Sequence, residues 1–187
     1  MGSWCYRRHP VATSGANGIE RMLRSPKQED AELLAPIRSD FRLQHLLMSN
    51  PPGSPKGDIL ALTSEWINRR MAQGWFKIIQ DDALIVAGFA QISDIHRENR
   101  LGWLGLGLLP SARGKGLGRR AMIEIESAAR NDLGLRKLLL QVRCDNMRAI
   151  AMYDRGGWRR VGFLKEHYYD RTRTYDVILF EKLLSVQ

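Results

Sequence analysis

The run Arg113-Gly114-Lys115-Gly116-Leu117-Gly118 constrains this chain more than any other segment. Before it lies an apolar stretch, Leu101–Leu109, stopped by Pro110. After it comes the clearest amphipathic stretch, 117–130, in which Leu117, Ala121, Ile125, Ala128 and Ala129 share one face. A short strand, a glycine turn and a helix therefore follow one another directly. Glycine tolerates positive φ and lets a ligand approach the backbone. The first amides of a helix have no partner within it and favour an anion, and Arg113, Lys115 and Arg119 add charge. A pyrophosphate suits such a turn; a basic turn that merely starts a helix is the plainer alternative. The loop is not a Walker loop, because Gly116 follows the lysine where Ser or Thr belongs. It is not a dinucleotide fingerprint either, because Arg119 stands where the last glycine should be.

Charge is distributed to match. The formal net charge is +9, and the excess lies wholly between Arg97 and Arg173, with 17 Lys and Arg against 8 Asp and Glu; the rest of the chain holds 12 of each. Nucleic acid, an anionic membrane surface and a phosphorylated small molecule all fit such a segment, as does an ordinary solvated basic surface. The 187 residues suffice for one domain with its own core. No run of 18 uncharged apolar residues offers a transmembrane helix. No signal peptide or myristoylation signal is read at the N-terminus. Cys5 and Cys144 make no disulfide framework, so a reduced, cytoplasmic setting is expected. Arg143 beside Cys144 could raise its thiolate fraction, although a structural cysteine is the simpler reading. His9, His45, His96 and His167 lack metal spacing, and no metal is expected. Tyr168, Tyr169 and Tyr175 among arginines could stack on RNA, but no RNA-binding motif accompanies them.

Residues 1–18 read as a loose arm, and 19–187 as a single domain. A first strand is expected over 19–25, then a helix opened by Ser25-Pro26, a second short helix over 41–49, and a break at Asn50–Pro55. A helix over 60–73 offers Leu62, Trp66 and Met71 for burial. Trp75–Ile79 and Ala83–Ile92 form a hairpin around Asp81-Asp82. Past the glycine turn and its helix come a strand, 137–143, a short helix, Asn146–Asp154, and two strands, 158–169 and 174–182. This order predicts an α/β (α+β) domain with a mixed, mostly antiparallel twisted sheet flanked by helices.

Two motifs carry a resemblance. Arg113, Gly116 and Gly118 match the Arg/Gln-x-x-Gly-x-Gly/Ala pattern of motif A of the GNAT superfamily of acetyl-CoA-dependent N-acetyltransferases, with Pro110 at its usual place. Asn146, Ala149 and Tyr153 match motif B, and Gly157-Trp158 stands where the family has Gly-Phe. The similarity runs over roughly 19–184 and is closest to the ribosomal-protein-alanine and spermidine acetyltransferase branches. It implies acetyl-CoA as cosubstrate, an amine acceptor attacked directly, no membrane, little role for nucleic acid, and a possible homodimer. It assigns the cofactor to Leu108, Leu109, Arg113, Gly114, Lys115, Gly116, Leu117, Gly118, Arg119, Asn146, Ala149 and Tyr153, in a gap between two splayed strands. Leu108 and Leu109 would lend backbone groups to pantetheine and the thioester oxygen. Asn146 would hold the pantetheine arm, and Tyr153 would protonate the leaving thiolate. From spacing alone, Asn146, Ala149, Ile150 and Tyr153 share a helix face, where an aromatic is usually core. The sequence departs from the family at the base: Trp103-Leu104-Gly105 stands where many members carry a glutamate. His96, Glu98, Asp94, Glu166 and His167 are the candidates, beside a water relay or an already neutral amine. The acceptor, whether a protein N-terminus, a polyamine or an amino-sugar, would enter between the early helices (26–73) and the later strands. The rival reading is a CoA-binding or RNA-binding module without turnover.

Overall fold

A computed structural model describes residues 22–49 and 58–184. The expected N-terminal arm, the Asn50–Pro55 break, Cys5 and His9 lie outside the described residues, as do the first three residues of the expected first strand. That strand is β1, Leu23–Arg24. Three helices follow: α1 (Asp30–Ser39), α2 (Phe41–Leu46) and α3 (Ile59–Gln73). The hairpin comprises β2 (Trp75–Gln80) and β3 (Val86–His96), and β4 is Leu101–Leu108. A single 3₁₀ turn, Pro110–Ala112, leads through the glycine loop into α4 (Leu117–Asn131). Then come β5 (Lys137–Arg143), α5 (Met147–Arg155), β6 (Arg159–Tyr169) and β7 (Thr174–Leu183).

The seven strands form one sheet in the order β1-β2-β3-β4-β5-β7-β6. All neighbours are antiparallel except β4 and β5. That parallel pair holds only at Leu101↔Lys137, Gly102↔Leu138 and Trp103↔Leu139. Beyond it, β4 keeps its ladder with β3 as far as Leu108, and β5 keeps its ladder with β7 as far as Arg143. The two central strands therefore part, and the middle of the sheet opens towards the C-terminal end of β4.

The parting is held by a different core on each face. On one face α4 and α5 pack through Leu117, Ala121, Ile125, Ala129, Ile150 and Tyr153 onto β4, β5 and Phe180 of β7. The helical period of α4 explains this choice: of its five stripe residues, Leu117, Ala121, Ile125 and Ala129 are almost wholly buried and Ala128 is half-buried. On the other face α1, α2 and α3 bring Leu34, Ile37, Leu43, Trp66 and Ile67 onto Phe76, Ile78 and Phe89 of the hairpin. Trp66, Phe76 and Phe89 meet edge-to-face and stacked at centroid distances of 4.9–5.6 Å.

Some boundaries and core positions differ from those expected. The first helix begins at Asp30, not at Ser25-Pro26, because the Asp30 carboxylate is committed to Arg24 and to the Lys27 N–H, which fixes a turn before the helix. Ala83 to Ile85 belong to the hairpin turn: Asp81 Oδ1 accepts from the N–H groups of Ala83 and Ile85. On α3, Trp66 is buried with Thr63 and Ile67, whereas Leu62 is half-buried and Met71 exposed (48%), because the stripe facing α1 and the hairpin is narrower than the apolar residues mark. Asn146 lies just outside α5 and caps it, its side chain accepting from the Ala149 N–H at 3.3 Å.

Candidate functional site

The glycine loop sits at the mouth of the opening. The Leu109 N–H donates to Ala87 O (2.8 Å), which carries the chain off the end of β4. Gly114 (φ +80°) and Gly116 (φ +76°) are left-handed, and a Cβ on either would meet nothing within 4 Å, so the turn faces open space. Gly116 is the N-cap of α4, and no side chain among the described residues caps that helix. Its first amides therefore stand towards the mouth beside Lys115 and Arg119, both solvent-facing. These features fit a diphosphate. Arg113 behaves differently from the charge donor expected. Its Nε donates to Leu108 O (3.0 Å), and its guanidinium lies 3.9 Å from the carboxylate of Asp40, the N-cap of α2. The side chain thus turns back along β4 and ties the loop to the strand.

Gly118 lies where three elements meet. A Cβ there would lie 3.0 Å from Met152 Sδ of α5 and 3.6 Å from Leu108 Cδ1 of β4. The end of β4, the first turn of α4 and the motif B helix thus meet at one point, with Ala149 half-buried on the same helix. Tyr153 follows Met152. Its ring packs on Trp158 (5.8 Å) and Phe180 (5.6 Å) and is 8% exposed. Burial pushes its hydroxyl up to about 12, so it holds its proton at neutral pH. Trp158 is fixed in turn: its Nε1 donates to Glu126 of α4, whose carboxylate also pairs with Lys182 of β7 (2.7 Å).

The candidate bases do not join this group. Asp94, His96 and Glu98 lie where β3 turns into β4, at the closed end of the parted strands. His96 Nδ1 accepts from the Asn99 N–H. Glu166 and His167 are exposed on a bulge of β6. The thiol of Cys144 is not activated: desolvation, with Asp176 and Asp145 nearby, pushes it up. Arg143 instead pairs with Asp145 and lies over the Tyr175 ring (3.5 Å). No group of three His, Cys, Asp or Glu gathers among the described residues to hold a metal. No described helix is long and apolar enough to cross a membrane.

Across the sheet from α4, a cavity of about 110 Å³ opens between α1, α2, α3 and the β3–β4 pair, lined in part by Arg38, Gln44, Arg70, Gln91 and Gly105. None of these is a site residue by spacing or motif, although Gly105 stands in the segment that lacks the family's glutamate. The remaining signal was too thin, because Arg38, Arg70 and Gln91 come together only through tertiary packing. A second link borders this side: His45 Nδ1 of α2 and the Tyr168 hydroxyl of β6 share a hydrogen bond (2.9 Å).

Comparison with known proteins follows this geometry. The model of the acetyltransferase (GNAT) family matches residues 41–158. A mycothiol acetyltransferase of Propionibacterium freudenreichii is 32% identical over 105 residues, covering 52% of this chain and 33% of that protein. The N-alpha-acetyltransferase RimI of Mycobacterium tuberculosis is 36% identical over 63 residues, 34% of this chain and 37% of that protein. The chain thus spans about a third of the length of these curated relatives. Among solved structures, spermidine N-acetyltransferase from Vibrio cholerae, in complex with CoA and spermine, superposes with a TM-score of 0.78 at 20% identity, covering 87% of this chain and 94% of that one.

Proposed function

The chain belongs to the GNAT family of acetyltransferases, and on that premise we propose that it moves an acetyl group from acetyl-CoA to a primary amine by direct attack. The observation that carries this reading is the parted β4–β5 pair, with an uncapped helix start at its mouth and a buried, protonated tyrosine on the neighbouring helix. Acetyl-CoA supplies the activated acyl group as a thioester. The amides at Gly114–Gly118 receive the pyrophosphate, with Lys115 and Arg119 adding charge. The unpaired edge of β4 up to the Leu108 N–H, together with the second lone pair of the Leu109 carbonyl, which already accepts from the Ala112 N–H, offers backbone groups to the pantetheine amides and the thioester oxygen; the Leu109 N–H and the Leu108 carbonyl are already engaged. Asn146 already caps α5 through its carbonyl oxygen, which leaves its NH₂ for the arm. Tyr153 gives its proton to the departing thiolate; a hydroxyl held neutral by burial suits that task. The acceptor, a protein N-terminus, a polyamine or an amino-sugar, enters from the face of α1–α3.

A second reading keeps CoA binding without turnover. It draws on one observation: Asp94, His96 and Glu98 sit at the closed end of the sheet, away from the mouth. Thiol release from acetyl-CoA over a panel of amines separates the two. Acetylated product from any amine supports transfer. CoA binding with no product from any amine supports the second reading, and no CoA binding overturns both.

A further inference from the structure

The cavity on the α1–α3 face holds two guanidinium groups and no carboxylate. Arg38 reaches it from the end of α1, its guanidinium carbon 5.1 Å from the centroid of Trp66. One of its terminal nitrogens donates to Gln44 Oε1, while its Nε is buried without a partner. Gln44 is itself spent on the protein, since its Nε2 donates to Ile37 O (2.8 Å). Arg70 reaches the cavity from α3 and has no hydrogen-bond or ion-pair partner among the described residues. Gln91 Oε1, from β3, is likewise buried and unpartnered. Gly105 makes room for that side chain, because a Cβ there would lie 2.8 Å from Gln91 Nε2.

Burying cationic donors without a counter-charge costs stability unless something else supplies the charge. Desolvation, reinforced by the repulsion of Arg69 and Arg70, holds the Arg38 guanidinium below its ordinary value. Desolvation and Arg69 do the same to Arg70, against a smaller pull from Asp94. Both remain cationic at neutral pH. The free Gln91 oxygen is an acceptor, suited to an N–H. A guanidinium pair facing one acceptor complements a small molecule that has an anionic group at one end and an amine at the other. It opposes a polyamine, whose every charge is positive.

We propose that this cavity is the acceptor site and that it selects small amines bearing an anionic group, which Arg38 and Arg70 hold while Gln91 receives an N–H of the amine. The proposal rests on the transfer reading above. The cavity has room for several water molecules, hence for a carboxylate or phosphate and a short stem.

The test uses matched pairs that differ in the anionic group: alanine and alaninamide, 4-aminobutyrate and 4-aminobutanamide, 2-aminoethyl phosphate and ethanolamine, with spermidine alongside. The anionic member of at least one pair should show a kcat/KM about ten- to a hundredfold higher, the scale of a charge-assisted contact. Which pair responds separates carboxylate from phosphate. Arg70→Gln should bring the ratio towards one through KM, and Arg70→Lys should restore part of it. Equal use within every pair, preference for spermidine, or a ratio unmoved by Arg70→Gln would overturn the proposal. Calorimetric titration of the anionic amines, with coenzyme A present, keeps the two ideas apart. Binding lost in Arg70→Gln without acetylation by the wild type would uphold the anion site and sink the transfer reading; equal binding by both proteins would sink the anion site.

Discussion

Tyr153 packs as core and, in the proposed function, also supplies a proton. Its spacing places it on a helix face, where packing alone accounts for an aromatic, and Trp158 and Phe180 do enclose it. The same enclosure keeps its proton in place. Tyr153→Phe should therefore lower turnover about 10²- to 10⁴-fold while coenzyme A affinity stays within a few-fold, read by steady-state kinetics and calorimetry. The pH dependence has a definite sign. Burial raises the hydroxyl in the folded protein, to about 12, so the native state holds this proton more tightly than the unfolded chain. The corresponding stability is complete below the ordinary tyrosine value and is lost as pH rises through the native one. Wild type should lose more stability than Tyr153→Phe on moving into that alkaline window, as measured by denaturant titration. At Gly116, φ of +76° penalises any side chain although space is open. Gly116→Ala should cost about 1–2 kcal/mol and weaken coenzyme A binding. Gly116 was legible from local spacing, whereas spacing alone gave Tyr153 only a core-type helix face, and its proposed role came from the motif B resemblance. Arg113 was legible only in part: its place in the loop followed from spacing, but its turn back to Leu108 O depends on the strand beside it.

At the scale of elements, periodic segments read true and contact-defined ones did not. The stripe of α4 and the apolar runs of β4 and β5 carry their own signals, and the chain folds them close to the expected bounds. A strand is legible over 19–25, but the bounds of β1, Leu23–Arg24, are set by pairing with Ile79 and Ile78. The start of α1 is likewise set from outside. Asp30 is fully buried, and Arg24 grips both of its oxygens at 2.7 and 2.5 Å. Burial alone would push that carboxyl up, but the guanidinium and the Lys27 N–H outweigh it and hold it below the usual range. Removing the charge should be costly: Asp30→Asn leaves Arg24 without its partner and should lose about 3 kcal/mol in urea unfolding. A depressed carboxyl contributes stability above its unfolded value and loses it as pH falls through the native one. The acid side of the stability profile should therefore flatten in Asp30→Asn. The α1–α3 cavity was invisible because Arg38, Arg70 and Gln91 lie on three elements whose meeting is purely tertiary.

For the whole molecule, the basic segment 97–173 contains the glycine loop, and its excess charge has a purpose in the proposed function. Affinity for coenzyme A should fall as salt rises, because the exposed Lys115 and Arg119 act through a screened field, whereas binding of pantetheine, which carries no phosphate, should show little salt effect. Calorimetry at low and high ionic strength checks this.

The parting of β4 from β5 has a wider consequence. A sheet pinned at its centre by three residue pairs resembles a half-closed zipper, with bare rungs facing each other above the slider. Such rungs normally invite another chain to bind. Here they lie inside the molecule, where a ligand with two amides of its own can serve as the absent strand. The two half-sheets should then breathe independently until that strand arrives. Amide exchange at 104–109 and 140–143 should slow on adding coenzyme A, and the protein should gain about 2.7 kcal/mol at a hundredfold excess over Kd.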